Sequence, residues 1–357
     1  MTTYRVASIP GDGIGVDVQR EAQAVLDTAA QRFGFGLEWT EFGWSCERYA
    51  EAGSMMPADG IETLRPFDSV LLGAVGFPGV PDHVSLWGLL IPVRRAFAQY
   101  VNLRPVRLLP GTTSVLAGRG ADELEMVIVR ENSEGEYSEL GGRHNAGGPG
   151  EFALQESVFT RVGVERIIRY AFELARTRQH RVCSATKSNG IIHTMPFWDE
   201  IFAEIAAEYP DVESEQLHID ALAARMVQRP DLLDVVVGSN LFGDVLSDLA
   251  AAITGGLGMA PSGNINPEGE FPSMFEAVHG SAPDIAGRGI ANPVAQILAA
   301  AMMLDQLGEK AAGEAVRGAV QTVLDAGAVL TPDLGGTSTT GQLGSAIAEA
   351  IQSGRNS

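Results

Sequence analysis

The sequence predicts an α/β protein with a largely parallel sheet, divided into two domains. Three observations carry that expectation. Short apolar runs alternate with helical stretches, several runs end in glycine-containing turns, and 357 residues exceed what one hydrophobic core ordinarily organises. Hydrophobic residues make up 45% and charged residues 20%, with no low-complexity tract, so an ordered globular chain is expected.

Taken in order, Val6-Ala-Ser-Ile9 reads as a strand and Pro10-Gly-Asp-Gly-Ile-Gly15 as the turn into a helix over about Val16 to Phe33. A dinucleotide fingerprint is not completed, because Val16 stands where the third glycine belongs, and a tight strand-to-helix turn is the plain reading. Further strands are expected at Leu37 to Phe42 and Ser69 to Ala74. Within Asp82 to Arg95, Pro92 is expected to bend or end a first helical piece. Arg94, Arg104 and Arg130 lie on or beside apolar runs, the last of them closing the strand Glu125 to Val129. Singly, each is an ordinary surface charge. Converging on one cleft, they would form a carboxylate clamp, since each guanidinium presents a planar fork to an oxygen pair.

Leu140 to Gly150 is glycine-rich and reads as a loop or hairpin tip. An amphipathic helix follows over about Thr160 to Arg176, then a strand at Arg181 to Ser184 that ends in Thr186-Lys187-Ser188-Asn189. Lys187 is an exposed lysine or, beside a metal-bound substrate, a base of lowered pKa. Gln216 to Ala224 is expected to begin another helix, with Asp220 as a capping or dipole-complementing acid.

Val235-Val-Val237 reads as a buried strand leading into a helix that starts Asn240-Leu-Phe-Gly-Asp244-Val-Leu-Ser-Asp248. Asp244 and Asp248, four residues apart, share a helical face and can share one hard cation, Mg²⁺ or Mn²⁺. A solvated helix face is the alternative. Their place at the carboxyl end of a hydrophobic strand favours the ligand site, because open α/β sheets put their crevices there. Farther on, Phe275-Glu-Ala-Val-His279-Gly-Ser-Ala-Pro-Asp284-Ile285 runs through Asn292 into an apolar helix, Ala295 to Leu307. Such a loop holds a pyrophosphate on its backbone amides, with an aspartate on ribose hydroxyls, or else simply initiates the helix.

The formal net charge of −20 argues against nucleic acid or an anionic membrane as partner. Two cysteines, Cys46 and Cys183, are too few for a disulfide framework or a cysteine zinc site. With no signal peptide and no apolar run near the roughly 18 residues of a membrane span, a cytosolic setting is the default expectation.

Together these segments resemble the β-decarboxylating dehydrogenases, the isocitrate/isopropylmalate dehydrogenase family, from about Arg5 to Ile351. The carriers are Pro10 to Gly15, the spaced Arg94, Arg104 and Arg130, the Asn240 to Asp248 stretch, and His279-Gly-Ser-Ala-Pro-Asp284. The resemblance implies two α/β domains around a central cleft in a fold that is not a Rossmann fold. A large cofactor domain of 1–100 plus 256–357 is expected, with a small domain of 101–255 carrying a dimerisation arm near 137–155.

By the same resemblance Arg94, Arg104 and Arg130 bind the carboxylates of a 2-hydroxy diacid, and Asp220, Asp244 and Asp248 hold Mg²⁺ or Mn²⁺. Lys187 and Asp220 are expected from the other subunit of a homodimer, with Lys187 as base and Tyr137 as the acid that protonates C3 after CO₂ leaves. The cofactor is expected along Ile14, His279, Gly280, Ser281, Ala282, Pro283, Asp284, Ile285 and Asn292. NAD is favoured over NADP, because Asp284-Ile285 stands where NADP-dependent isocitrate enzymes have Lys-Tyr and a carboxylate repels a 2′-phosphate.

Substrate choice turns on the residues before Arg94. Gly88 and Leu90 replace the Ser and Asn that isocitrate enzymes use for an extra carboxylate, and Trp87 replaces the Glu of isopropylmalate enzymes. Asp82 to Gly88 resembles the tartrate/D-malate members, so D-malate, with activity on tartrate, is the expected substrate. Two alternatives stand beside it: 3-isopropylmalate, through an apolar pocket at Leu89, Leu90 and Ile91, and a non-catalytic regulatory subunit, against which intact Tyr137, Lys187 and the three aspartates weigh. Mn²⁺ against Mg²⁺, a K⁺ requirement, and dimer against tetramer stay open.

Overall fold

The computed structural model describes residues 2–354. Its strands in chain order are β1 (Thr3–Gly11), β2 (Gly36–Glu41), β3 (Ser69–Ala74), β4 (Val101–Arg107), β5 (Glu125–Glu131), β6 (Gly141–His144), β7 (Phe152–Gln155), β8 (Arg181–Thr186), β9 (Glu213–His218), β10 (Val235–Gly238), β11 (Pro261–Ile265) and β12 (Ser273–Ala277). The chain forms two compact units, one of Met1–Gln99, Arg107–Ala121 and Ala251–Ser357, the other of Tyr100–Val106 and Asp122–Ala250. Residues 107–121 thus pack with the first unit rather than the second. Among the described residues no helix is long and apolar enough to cross a membrane.

The first unit carries the strand order β2-β1-β3-β12-β11, parallel except for the antiparallel β11/β12 pair. Side chains alternate between its two faces. Val6, Leu71 and Phe275 join the core built with the helices Ile14–Phe33, Val294–Gln306, Lys310–Ala326 and Thr340–Ser353. Ala7, Ile9, Val70, Leu72 and Met274 join a second core with Met55, Leu64, Leu89, Val93 and Phe97. Burial on both faces explains why these strands read as continuous apolar runs.

The glycines after β1 serve close packing. A Cβ at Gly11 would lie 2.0 Å from the Ala74 carbonyl oxygen, and one at Gly13 would lie 2.1 Å from that of Ser281. Both residues also have positive φ, 72° and 59°, which glycine adopts at little cost. Between them the Asp12 carboxylate accepts from the amides of Cys46 and Gly76 at 3.0 Å, tying the turn to its neighbours.

The second unit has the order β4-β5-β10-β8-β9, with β10 parallel to β5 and β8, and β8 parallel to β9. Its separate hairpin, β6/β7, is exposed along its whole length and presents Phe152 and Leu154 at 49% and 50% exposure. One local expectation is corrected and one is narrowed. Gln216 to His218 is not helical: it ends β9, paired as Ser184↔Gln216 and Thr186↔His218, and the helix starts at Ile219 with Asp220 in its first turn. Pro92 does not end the helix of residues 82–96. The chain widens into a π turn over Leu86–Leu90, closed by the Ile91 amide on the Leu86 carbonyl, and continues as Ile91–Ala96.

Candidate active site

In the second unit, β10 delivers the chain to the helix Asn240–Ile253, which projects Asp244 and Asp248. That helix sits close to β5 because residue 243 is glycine: a Cβ there would meet the Cβ and Cγ of Arg130 at 2.6 Å. Arg130, 2% exposed, donates from Nε to the Asn240 carbonyl at 2.8 Å, from one terminal nitrogen to Asn240 Oδ1 at 2.8 Å, and from the other to Asp244 Oδ1 at 2.6 Å.

Arg104 reaches the same aspartates from β4, with a guanidinium nitrogen 3.3 Å from Asp244 and 3.7 Å from Asp248. Its Nε donates to Asn102 Oδ1 at 2.6 Å and a terminal nitrogen donates to the Ser247 hydroxyl. Tyr137 completes the cluster. Its hydroxyl donates to Asp244 Oδ2 at 3.1 Å, and its ring lies 5.4 Å from the Arg130 guanidinium carbon.

The electrostatics follow from this packing. Burial, reinforced by the charge of Asp244, pushes the Tyr137 phenol above its ordinary pKa, against the opposing pull of Arg130 and Arg104. Asp248 is likewise raised by burial first, with Arg104 opposing and Asp244 adding to the rise. Two acids that repel each other on one helix face, with oxygen donors and a partly open Asp248 (59% side-chain exposure), are a donor set suited to a hard cation.

Lys187 and Asp220 form a second group in this unit. Lys187 Nζ lies 2.6 Å from Asp220 Oδ1, and that hydrogen bond lowers the Asp220 carboxyl below its usual value. Among the described residues of one chain, no group of three or more acidic, histidine or cysteine side chains forms a metal site, so Asp220 does not join Asp244 and Asp248 within a single copy.

The first unit holds the remaining candidates. Arg94 is 5% exposed and donates to Glu276 Oε1 at 2.9 Å, an oxygen that also accepts from Asn264 at 2.8 Å. Its Nε is buried without a partner among the described residues. Leu90, four residues earlier, is 9% exposed in the apolar core, and Trp87 lies against the Arg95 guanidinium, 5.2 Å from ring centre to carbon.

The loop after β12 is braced against the first helix. The Ile14 amide donates to the Ser281 carbonyl at 2.7 Å, the Gly287 amide donates to Asp17 at 3.1 Å, and Ile14, Ala282 and Ile285 share a small apolar cluster. Ala282 has a φ of 38°, a conformation uncommon outside glycine and met at functional loops. His279 Nδ1 donates to the Gly280 carbonyl at 2.9 Å, leaving Nε2 as a buried acceptor without a partner among the described residues. Burial lowers its pKa, so the ring stays neutral. Pro283 and Asp284 are exposed. Asn292 is oriented by Asp333 at 2.9 Å and accepts from the Val294 amide at 3.0 Å, which starts the next helix.

Sequence reasoning missed the residues that aim the arginines: Asn102, Asn240, Ser247 and Glu276. Asn240 and Ser247 lie inside the Asn240 to Asp248 stretch and Glu276 lies three residues before His279, so proximity to motifs was the available signal. Glu136 was also missed. It accepts from Ser239 Oγ at 2.7 Å and from the Leu241 amide at 3.1 Å, fastening the segment of Tyr137 to the start of the aspartate helix.

Comparison with known proteins identifies the family. The family described as isocitrate/isopropylmalate dehydrogenase matches residues 5–349. Over 359 aligned positions the chain is 54% identical to a D-malate dehydrogenase (decarboxylating) of Escherichia coli (strain K12), covering 98% of this chain and 99% of that one. It is 51% identical to a probable tartrate dehydrogenase/decarboxylase of Bacillus subtilis (strain 168), over 99% of both chains. Among solved structures, an isocitrate dehydrogenase from Methylococcus capsulatus superposes with a TM-score of 0.89 at 36% identity, covering 98% of this chain and 99% of that one.

Proposed function

The chain belongs to the isocitrate/isopropylmalate dehydrogenase family, and from that premise we propose that it oxidatively decarboxylates D-malate to pyruvate and CO₂, acting also on tartrate. The observation that carries this reading is the convergence of Arg104, Arg130 and Tyr137 on Asp244, with Asp248 on the same helix face.

Asp244 and Asp248 would hold Mg²⁺ or Mn²⁺ together with Asp220 of a second copy, and the bound cation supplies positive charge against the oxygen on C2. NAD, when bound along Ile14 and His279 to Asn292, supplies the hydride acceptor. Arg104 and Arg130 bind substrate carboxylates, their forks pre-aimed by neutral acceptors on Asn102, Asn240 and Ser247. Arg94, whose Nε has no acceptor among the described residues, is the third carboxylate-binding arginine of this reading. Lys187 accepts the C2 hydroxyl proton at Nζ. Tyr137 keeps its phenolic proton at neutral pH, because burial and Asp244 raise its pKa, and delivers it to C3 once CO₂ has left. His279 Nε2 accepts a hydrogen bond from the adenosine part of the cofactor, and exposed Asp284 accepts from the ribose hydroxyls.

A homodimer follows from the need for Lys187 and Asp220 in trans. Exposed apolar side chains support it: Leu241 and Val245, at 39% and 53% exposure on the aspartate helix, and Leu140, Phe152 and Leu154 on and beside the hairpin. The test is NADH formation from D-malate, the tartrate stereoisomers and 3-isopropylmalate with Mn²⁺, with chelator controls. Turnover of 3-isopropylmalate with none of D-malate would replace the substrate, and turnover that survives chelation would remove the metal.

A further inference from the structure

We propose that Glu136 is a positioning residue for Tyr137, holding the tyrosine against the aspartate helix at the step in which its own hydrogen bond to that helix is given up. The inference rests on the reading of Tyr137 as the proton donor to C3. All the residues concerned lie in the second unit.

Two adjacent residues grip the helix Asn240–Ile253 at different heights. The Glu136 carboxylate accepts from the Ser239 hydroxyl at 2.7 Å through one oxygen and from the Leu241 amide at 3.1 Å through the other. Leu241 lies in the first turn, where amides have no acceptor inside the helix, and a negative charge there also suits the helix dipole. Because the Ser239 hydroxyl donates to Glu136, its lone pairs face the Phe242 amide, 3.4 Å away. The Tyr137 hydroxyl meets Asp244 three residues beyond Leu241, about 4.5 Å farther along the helix axis. Attachment at two heights fixes where the tyrosine backbone sits along the helix as well as which side it faces.

Other ties of the same segment lead elsewhere. Glu131 accepts from the Ser133 and Glu134 amides at 2.9 and 2.7 Å, Glu134 accepts from the Thr160 amide and hydroxyl, both at 2.9 Å, and Gly135 bridges to Val158. These bonds fasten residues 131–135 to the chain entering the helix Arg161–Arg176. Beyond Tyr137, Ser138 is bonded to Gln155 and Glu156 at the foot of the hairpin. Gly135 does pass near Asn240, whose Cβ would stand 3.4 Å from a Cβ added there, a contact that sets spacing but not direction.

A phenol has one proton to donate. While that proton lies on Asp244 Oδ2, Tyr137 is tied to the helix; when the O–H bond breaks and the C3–H bond forms, the tie is lost. Glu136 makes no use of that proton. Its two hydrogen bonds persist through the step and keep the ring in place, where a displacement of about 1 Å costs on the order of 100-fold in rate.

The test is a double-mutant cycle of Glu136→Ala with Tyr137→Phe, run beside Glu136→Gln, on whichever of D-malate, the tartrates and 3-isopropylmalate the wild type oxidises fastest. Glu136→Ala is expected to lower kcat about 10-fold with KM within about two-fold of wild type. Glu136→Gln, which keeps one acceptor oxygen, falls between. Added to Tyr137→Phe, Glu136→Ala costs less than about two-fold further, because no phenolic proton remains to be placed. Hydrogen exchange read by mass spectrometry is expected to quicken several-fold in Glu136→Ala in peptides covering both residues 133–138 and residues 240–246, and to stay at the wild-type rate in residues 165–176.

If Glu136→Ala costs the same factor in both backgrounds, Glu136 acts through something other than Tyr137 and the proposal falls. Exchange that quickens at the start of the helix alone would make Glu136 a helix cap and nothing more. A wild type that oxidises none of these compounds would instead refute the proposed reaction, and the exchange comparison, which needs no turnover, would still decide whether Glu136 holds the tyrosine segment.

Discussion

The Tyr137 hydroxyl donates to Asp244 Oδ2 at 3.1 Å, while Oδ1 of the same carboxylate lies 2.6 Å from Arg130. In the proposed reaction one aspartate thus orients both the proton donor and a substrate-binding cation. That arrangement separates binding from proton delivery, and the two are open to separate tests.

On the proposed mechanism, replacing Tyr137 by Phe removes the proton for C3 and leaves the arginines in place. We expect kcat to fall by about 100-fold or more, the contribution of a positioned acid, with KM for D-malate changed only a few-fold. Steady-state kinetics with a circular dichroism control checks this. An equal loss carried entirely by KM would place Tyr137 in binding.

Gly243→Ala drives a methyl group into the Arg130 side chain, 2.6 Å from Cβ and Cγ. The expected cost is about 1–3 kcal/mol in urea unfolding, with a raised KM as the guanidinium moves. A variant of wild-type stability and KM would show that the helix retreats freely.

Asp284→Asn removes the charge proposed to disfavour a 2′-phosphate. The expected result is a KM for NAD raised by about 10-fold and a higher ratio of NADP to NAD use, read from initial rates with each cofactor. Unchanged cofactor kinetics would take Asp284 out of the ribose site.

Glu131 is fully buried, and burial pushes its carboxyl up to about 7 against the hydrogen bonds it accepts from Ser133 and Glu134. In the unfolded chain it titrates near its ordinary 4.5. Between those values the folded protein retains a proton that the unfolded chain has released, so stability falls as pH rises through this window. Glu131→Gln lacks that slope. From about pH 5 to 8, urea unfolding should move the difference between variant and wild type in the variant's favour, on the order of 3 kcal/mol at most. A parallel pH dependence would show that Glu131 is charged in the folded state.

Much of this was legible in the sequence because buried parallel strands are apolar on both faces, as β3 and β10 are. β9 was not, since its Glu213-Ser-Glu-Gln stretch lies at the edge of its sheet and carries no burial signal. β11 was also unread: Pro261-Ser-Gly-Asn has low strand preference and is held by pairing with β12. At the site, Asp244 and Asp248 could be read from helical spacing alone. Asn102, two residues before Arg104 on β4, shares its strand face and could have been read from the period of a strand. Glu276 as the partner of Arg94 depends on a strand and a helix far apart in sequence coming together, and no local pattern encodes that.

The central claim is a site shared by two copies of the chain, and subunit complementation tests it most directly. Asp220→Asn and Asp244→Asn are each expected to fold and to be inactive. After mixing and subunit exchange, half of the dimers are mixed, and in each of these one site carries both defects and the other none. Recovery of about a quarter of wild-type NADH formation from D-malate is therefore predicted. No recovery in a sample shown to contain mixed dimers would contradict the shared site.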